Sequence, residues 1–293
     1  MLKISKTGSK LSYPAKLLLF GEYTVTLGSG ALAVPYDGLS GKLEYGTGEE
    51  KSEGLEKLHI HLATDPNLAA RFDLKRLEKD ISCGLVFNSG IPEGYGLGSS
   101  GAVVAAIYDQ YALIKETELY ALKQTLAAME SVFHGSGSGL DPLVSYLGRP
   151  VMADDDGNLG MVEVSLPEGL FLADTGISRS TGPLVALFRK MMDEDRIFSD
   201  IVNQLKEVNR QAIRASVYGH NLWNYFNDIS TIQLSAFRPM IPAAYLDVWQ
   251  SGLESGSYAL KLCGAGGGGM ILGMSAGEGK FPEGMKIIKL SPK

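Results

Sequence analysis

The chain has 293 residues, 45% of them hydrophobic and 20% charged, which is ample material for one large or two medium domains. Lys plus Arg number 27 against 33 for Asp plus Glu, a net charge of −6. With no Lys/Arg-rich run, nucleic acid and anionic membrane are excluded as partners of the overall field, though a local basic pocket for phosphate is not.

The start, Met1-Leu-Lys-Ile-Ser-Lys6, lacks the apolar stretch of a signal peptide, and nowhere do eighteen apolar residues run together. Two cysteines, Cys83 and Cys263, cannot build a disulfide framework, so a reducing cytoplasm is the expected location. Lys16-Leu-Leu-Leu-Phe20, Tyr23-Thr-Val-Thr-Leu27 and Ala31-Leu-Ala-Val34 read as strands separated by Gly21 and Gly28-Ser-Gly30. Residues 46–57 read as a hairpin loop, and Leu58-His-Ile-His-Leu62 alternates at period two like a further strand. From Ser99 the period lengthens: Val103, Ile107, Tyr111 and Ile114 suggest the buried face of a helix to about Lys115. A second helix is expected from Glu118 to His134. Arg149-Pro-Val-Met-Ala153 and Leu159-Gly-Met-Val-Glu-Val164 flank a turn, and Leu170–Asp174 is a short strand. Residues 183–238 read as mainly helical with a break near Asn227-Asp228, and strand, turn and strand close the chain around Cys263 to Met274. Strands followed by helices, twice over, predict an α+β class with domains at 1–165 and 166–293.

Glycine is the compositional outlier, 36 residues in the chain against an average share near 7%. There is no Gly-X-Y period, so the excess points to loops that bind through backbone. Pro92-Glu-Gly-Tyr-Gly-Leu-Gly-Ser-Ser-Gly-Ala102 is the most informative of them. Gly94, Gly96, Gly98 and Gly101 permit close approach of an anion. Ser99 and Ser100 open a helix whose N-terminal N–H groups suit a phosphate, and a serine hydroxyl there can reach Mg²⁺. The plainer alternative is a glycine turn capped by serine. No Gly-Lys-Ser/Thr is present, so this is not a Walker loop. Gly264-Ala-Gly-Gly-Gly-Gly269 satisfies G-x-G-x-x-G, but a strand follows it, which argues against a dinucleotide fold.

Three segments in this order resemble the GHMP kinases: Pro14-Ala-Lys-Leu-Leu-Leu-Phe-Gly-Glu-Tyr23, Gly-Leu-Gly-Ser-Ser at 96–100, and Lys261-Leu-Cys-Gly-Ala-Gly-Gly-Gly-Gly269. The resemblance implies a two-domain GHMP kinase fold, with an N-terminal domain like ribosomal protein S5 domain 2 and a ferredoxin-like α+β C-terminal domain. It also implies ATP and Mg²⁺ as cofactors, and γ-phosphoryl transfer to a small-molecule alcohol. Glu130-Ser-Val-Phe-His-Gly-Ser-Gly-Ser-Gly-Leu-Asp141 resembles the E-x-x-x-H-G-x-P-S-G-x-D stretch of the mevalonate kinase branch, with Gly137 in place of its proline. Asp174-Thr-Gly-Ile-Ser-Arg-Ser-Thr181 resembles an acceptor-lining segment of that branch. Tyr23 stands where that branch usually has histidine, a substitution familiar from phosphomevalonate kinases.

By this resemblance, Gly94, Gly96, Leu97, Gly98, Ser99, Ser100 and Gly101 hold ATP, and Ser100 and Glu130 hold Mg²⁺. Asp141 and Lys16 are catalytic: Asp141 accepts or orients the hydroxyl proton, and Lys16 favours the alkoxide. Lys16, Glu22, Tyr23, Asp141, Thr181, Gly266 and Gly267 meet the acceptor. Without the family, Lys16 reads as a strand-edge cation, Asp141 as a helix cap before Pro142, and Glu130 as a solvated helix charge. His59 and His61 share a strand face without a third ligand, and Trp223 and Tyr225 read as core. Arg179 and Lys190 are equally phosphate attractors or surface charge. Asp154-Asp-Asp-Gly157 reads as a hairpin turn rather than an EF-hand. The reaction expected is phosphorylation of mevalonate. Phosphomevalonate, homoserine or a sugar are alternative acceptors, a silent nucleotide sensor and a decarboxylase are alternative functions, and a homodimer is left open.

Overall fold

Strand β1 (Tyr13–Phe20) is buried at every position, as a near-continuous apolar run requires when both faces of a strand are covered. The computed structural model describes residues 11–46, 53–135, 137–277 and 280–290. After β1 the elements are β2 (Ala31–Tyr45), α1 (Glu53–Thr64), α2 (Pro66–Ala69), α3 (Leu74–Ser82), β3 (Leu85–Ser89), α4 (Ser99–Tyr111), α5 (Leu119–His134) and α6 (Leu140–Leu147). Then follow β4 (Val151–Ala153), β5 (Leu159–Met161), β6 (Leu170–Asp174), α7 (Thr181–Glu194), α8 (Arg196–Val217), α9 (Trp223–Ala236), α10 (Leu246–Ser255), β7 (Tyr258–Leu262), β8 (Met270–Ser275) and β9 (Lys286–Lys289).

One sheet has the order β1–β2–β4–β5, with β3 also on β2 in antiparallel register, Gly41 facing Ser89 and Tyr45 facing Leu85. The other sheet has the order β7–β8–β6–β9. Its register sets Leu262 against Ile271 and Asp174 against Met270, so the 263–269 turn and the segment after β6 leave the sheet at the same end. The mixed α+β class expected from the sequence is met. By contacts the chain falls into two compact units: Met1–Leu17, Ala33–Pro92 and Gly98–Val151 in one, Leu18–Leu32, Glu93–Leu97 and Met152–Lys293 in the other.

Several local expectations are corrected. Tyr23–Leu27 is not a strand: Tyr23 has φ 61°, and Thr24–Leu27 is a 3₁₀ turn ended by Gly28. Leu58–Leu62 lies inside helix α1, where Leu55, Leu58 and Leu62 are buried at a spacing of three to four; period two and period 3.6 coincide over so short a run. His59 and His61 therefore share no strand face, and His61 Nε2 lies 2.8 Å from the Ala128 carbonyl. Residues 47–52 of the expected hairpin loop lie outside the described residues, while 53–57 are helical. Helix α4 stops at Tyr111, leaving Ile114 exposed. The break in 183–238 comes at Asp195 and at 218–222, not at Asn227-Asp228, which sit within α9. The buried face of that helix is Phe226, Ile229, Ser230 and Gln233, with Trp223 and Tyr225 only half-buried.

Candidate functional site

In the first unit the site is built by two helix starts. Helix α4 begins after Gly98 and α6 after Gly139; both glycines are left-handed and neither start has a side-chain cap. A glycine at the cap position brings no side-chain acceptor of its own to the first turn, a start that suits an anion; at α6, Leu140 N donates instead to Ser138 Oγ at 3.2 Å. Gly101 lets the two helices meet. A Cβ there would stand 2.8 Å from Pro142 N and 2.9 Å from Asp141 Cβ.

That approach brings Asp141, in the first turn of α6, to Lys16 on buried β1. Lys16 Nζ lies 2.8 Å from Asp141 Oδ1, with the lysine side chain 6% and the aspartate 28% exposed. A Cβ on Gly98 would lie 3.4 Å from both Asp141 Oδ2 and Lys16 Cβ, so the glycine that opens α4 abuts the pair. Glu130, on α5, is buried, and its Oε2 accepts from Gly139 N at 3.2 Å. Its carboxyl is pushed up to about 8, first by burial and then by the Asp141 charge, against the pull of Gly139 N–H and Lys16. Gly137 has a packing reason: a Cβ there would stand 2.6 Å from Glu130 Oε2. The glycine that replaces the family's proline leaves that carboxylate its place. Ser99 and Ser100 occupy the first turn of α4.

The second unit, taken by itself, holds the other residues singled out from the sequence. Gly94, Gly96 and Leu97 lie in Glu93–Leu97, a loop tied to the segment after β6. Arg179 N donates to Gly94 O at 3.3 Å and Ser178 Oγ to Glu93 O at 3.2 Å. The Arg179 guanidinium lies against Gly96 and Gly264, 2.9 and 3.2 Å from Cβ atoms built there, and its Nη1 donates to Thr181 Oγ1. Thr181 begins α7 at an exposed position. Lys190 instead sits on the exposed side of α7, 3.9 Å from Glu194, which is a surface pair.

Gly266 and Gly267 lie in the β7–β8 turn, where Gly267 N donates to Met240 O at 2.6 Å. Gly266 has φ 71°, and a Cβ there would strike the Met240 carbonyl. Glu22 forms an ion pair with Lys261, the two side chains 1% and 0% exposed. Tyr23 Oη donates to Ala265 O at 2.6 Å. The sequence reading passed over Lys261, Ala265 and the ring partners of Tyr23. A lysine inside the apolar strand Tyr-Ala-Leu-Lys-Leu was the available signal for a buried partner.

Residues 67–149 match the family model for the GHMP kinases N terminal domain. The chain is 26% identical over 296 residues to the mevalonate kinase of Thermococcus sibiricus, covering 90% of this chain and 88% of that one. Among solved structures it resembles the L. major mevalonate kinase determined with R-mevalonate, at 18% identity and a TM-score of 0.68, covering 99% and 97% of the two chains. It also resembles the Streptococcus pneumoniae phosphomevalonate kinase, at 13% identity and a TM-score of 0.67, covering 96% and 98%. The match over 67–149 is to the GHMP kinase N-terminal domain, and the fold of the chain is that of these kinase structures. Within that class its sequence similarity runs to the mevalonate kinases.

Proposed function

We propose that this chain is a mevalonate kinase, moving the γ-phosphoryl group of ATP to the 5-hydroxyl of mevalonate. The observation that carries the mechanism is the Lys16–Asp141 pair at the start of α6, beside the glycine that caps α4. The acceptor comes from the relatives, which are mevalonate kinases over 90% of the chain.

The residues fit Mg·ATP. Gly98 caps α4 without a side chain of its own, and Ser100 and Glu130 offer hard oxygen ligands. Among the described residues no three of His, Cys, Asp and Glu make a ready metal cage, so phosphate and water would complete the shell. Bound there, Mg·ATP supplies the phosphoryl group and neutralises its charge. The glycines and serines of 94–101 orient the phosphates through backbone N–H groups. Asp141 takes the proton of the acceptor hydroxyl as the hydroxyl oxygen bonds to the γ-phosphorus and the bond from that phosphorus to the bridging oxygen breaks to release ADP, while Lys16 stabilises the acceptor oxyanion. In the second unit, Glu22, Thr181, Gly266 and Gly267 take the acceptor-facing roles that the family resemblance gives them. The working domains are 1–165 for ATP and 166–293 for the C-terminal half.

Phosphomevalonate is the second reading, raised by the fold likeness to the Streptococcus pneumoniae enzyme. Release of ADP with mevalonate, phosphomevalonate, homoserine and galactose separates them. Mevalonate is expected to give the highest kcat/KM, and absence of turnover with it would overturn the reading.

A further inference from the structure

Tyr23 is the one residue other than glycine with positive φ among the described residues. Its φ of 61° and ψ of −46°, with Thr24 N donating to Glu22 O at 2.7 Å, define a γ-turn of the rare, strained kind. Such a conformation persists only where the surroundings over-determine it. Here two long-range tethers do so, and both end on one hairpin. Glu22, before the turn's apex, pairs with Lys261 at the end of β7. Tyr23, at the apex, donates to Ala265 O in the turn that follows. The ring is stacked on Phe188 at 4.6 Å between centroids and lies 5.6 Å from Phe237. Burial raises its phenol far above the ordinary range, with Arg179 opposing, so the hydroxyl is a neutral donor.

We propose that Tyr23 is a positioning residue: the strained Glu22-Tyr23-Thr24 turn is a brace that holds the 263–269 glycine turn in shape, and the Tyr23 hydroxyl is engaged there rather than in reading the acceptor's charge. The glycine turn needs such a brace. Gly264, Gly266, Gly267, Gly268 and Gly269 all have positive φ, and glycine loses more freedom on ordering than any other residue. Gly267 N and Gly269 N donate to Met240 O and Ile177 O at 2.6 Å each, and Gly269 O accepts from Thr175 N at 3.0 Å and Thr175 Oγ1 at 2.7 Å; Tyr23 supplies a side-chain bond nearer the start of the turn, at Ala265. The expected consequence rests on the proposed contact of Gly266 and Gly267 with the acceptor. It follows that tyrosine at position 23 does not by itself point to a phosphorylated acceptor.

The test is Tyr23→Phe in the full chain, which keeps the ring stack and deletes the donor. Amide exchange within 263–269 of the ligand-free protein should speed up about three- to tenfold, the factor an ordinary hydrogen bond is worth. The acceptor KM should rise by a similar factor with kcat within about twofold, and preference for mevalonate over phosphomevalonate should not change. Unaltered exchange in the turn would overturn the brace. So would a kcat loss with unchanged KM, because the hydroxyl would then act on reacting groups. Should Tyr23→Phe not fold, Phe188→Leu loosens the stack and leaves the hydroxyl; a smaller acceleration confined to the same turn is expected, and none would overturn the proposal. The exchange readout needs no acceptor, so it stands even if mevalonate is not turned over.

Discussion

Three buried ionisable residues, Glu22, Lys261 and Glu130, carry most of the residue-scale consequences. Glu22 and Lys261 neutralise one another where neither is reached by solvent. Removing one partner leaves an uncompensated buried charge, so Lys261→Met is expected to cost about 3–5 kcal/mol in urea unfolding, and Glu22→Gln with Lys261→Met should recover part of that. Glu130 has the opposite character. Its folded-state value of about 8 lies above the ordinary carboxyl value, so between the two the native state binds more protons than the unfolded one. Stability without divalent cation should therefore fall as pH rises from about 4.5 to about 8. Glu130→Gln should flatten that slope, a comparison read directly from melting temperatures across the range. A slope unchanged by the substitution would contradict the burial assigned to this carboxyl.

At the scale of elements, the close start-to-start approach of α4 and α6 depends on one missing methyl. Gly101→Ala would push a Cβ into the backbone at Asp141 and Pro142, and a well-packed site typically answers such an insertion with a loss of about 1–3 kcal/mol. Chemical denaturation measures this, and phosphoryl transfer should suffer with it because the Asp141 carboxylate is displaced. The regular elements with a long single period were legible: α5, β6 and the β7–β8 hairpin fall where the pattern puts them. Short segments were not. Leu58–Leu62 satisfies strand and helix periods alike, and only the leucines at 55, 58 and 62 facing one core decide it. Tyr23–Leu27 has strand-forming residues throughout, yet a positive φ at Tyr23 is imposed by partners more than 160 residues away in sequence, which no local pattern can encode.

For the whole molecule, the site residues were legible through motif order, and their geometry was not. The chain crosses between its two compact units within β1 and again between Leu97 and Gly98, so neighbours in one motif belong to different units: Lys16 to one, Glu22 and Tyr23 to the other. Composition changes nowhere along these motifs, and the crossing follows from packing alone. The family resemblance, and not the residues taken alone, anticipated the meeting of Lys16, Glu130 and Asp141, drawn together from β1, α5 and α6. The alternative of a nucleotide-binding sensor has no use for a base at that place. The most direct measurement is Asp141→Asn, assayed for ADP release with mevalonate and, separately, for ATP affinity. Turnover should drop by about 10²–10⁴-fold, the range for losing a general base, while ATP affinity stays within about twofold. Undiminished turnover in the variant would contradict the role given to the Lys16–Asp141 pair.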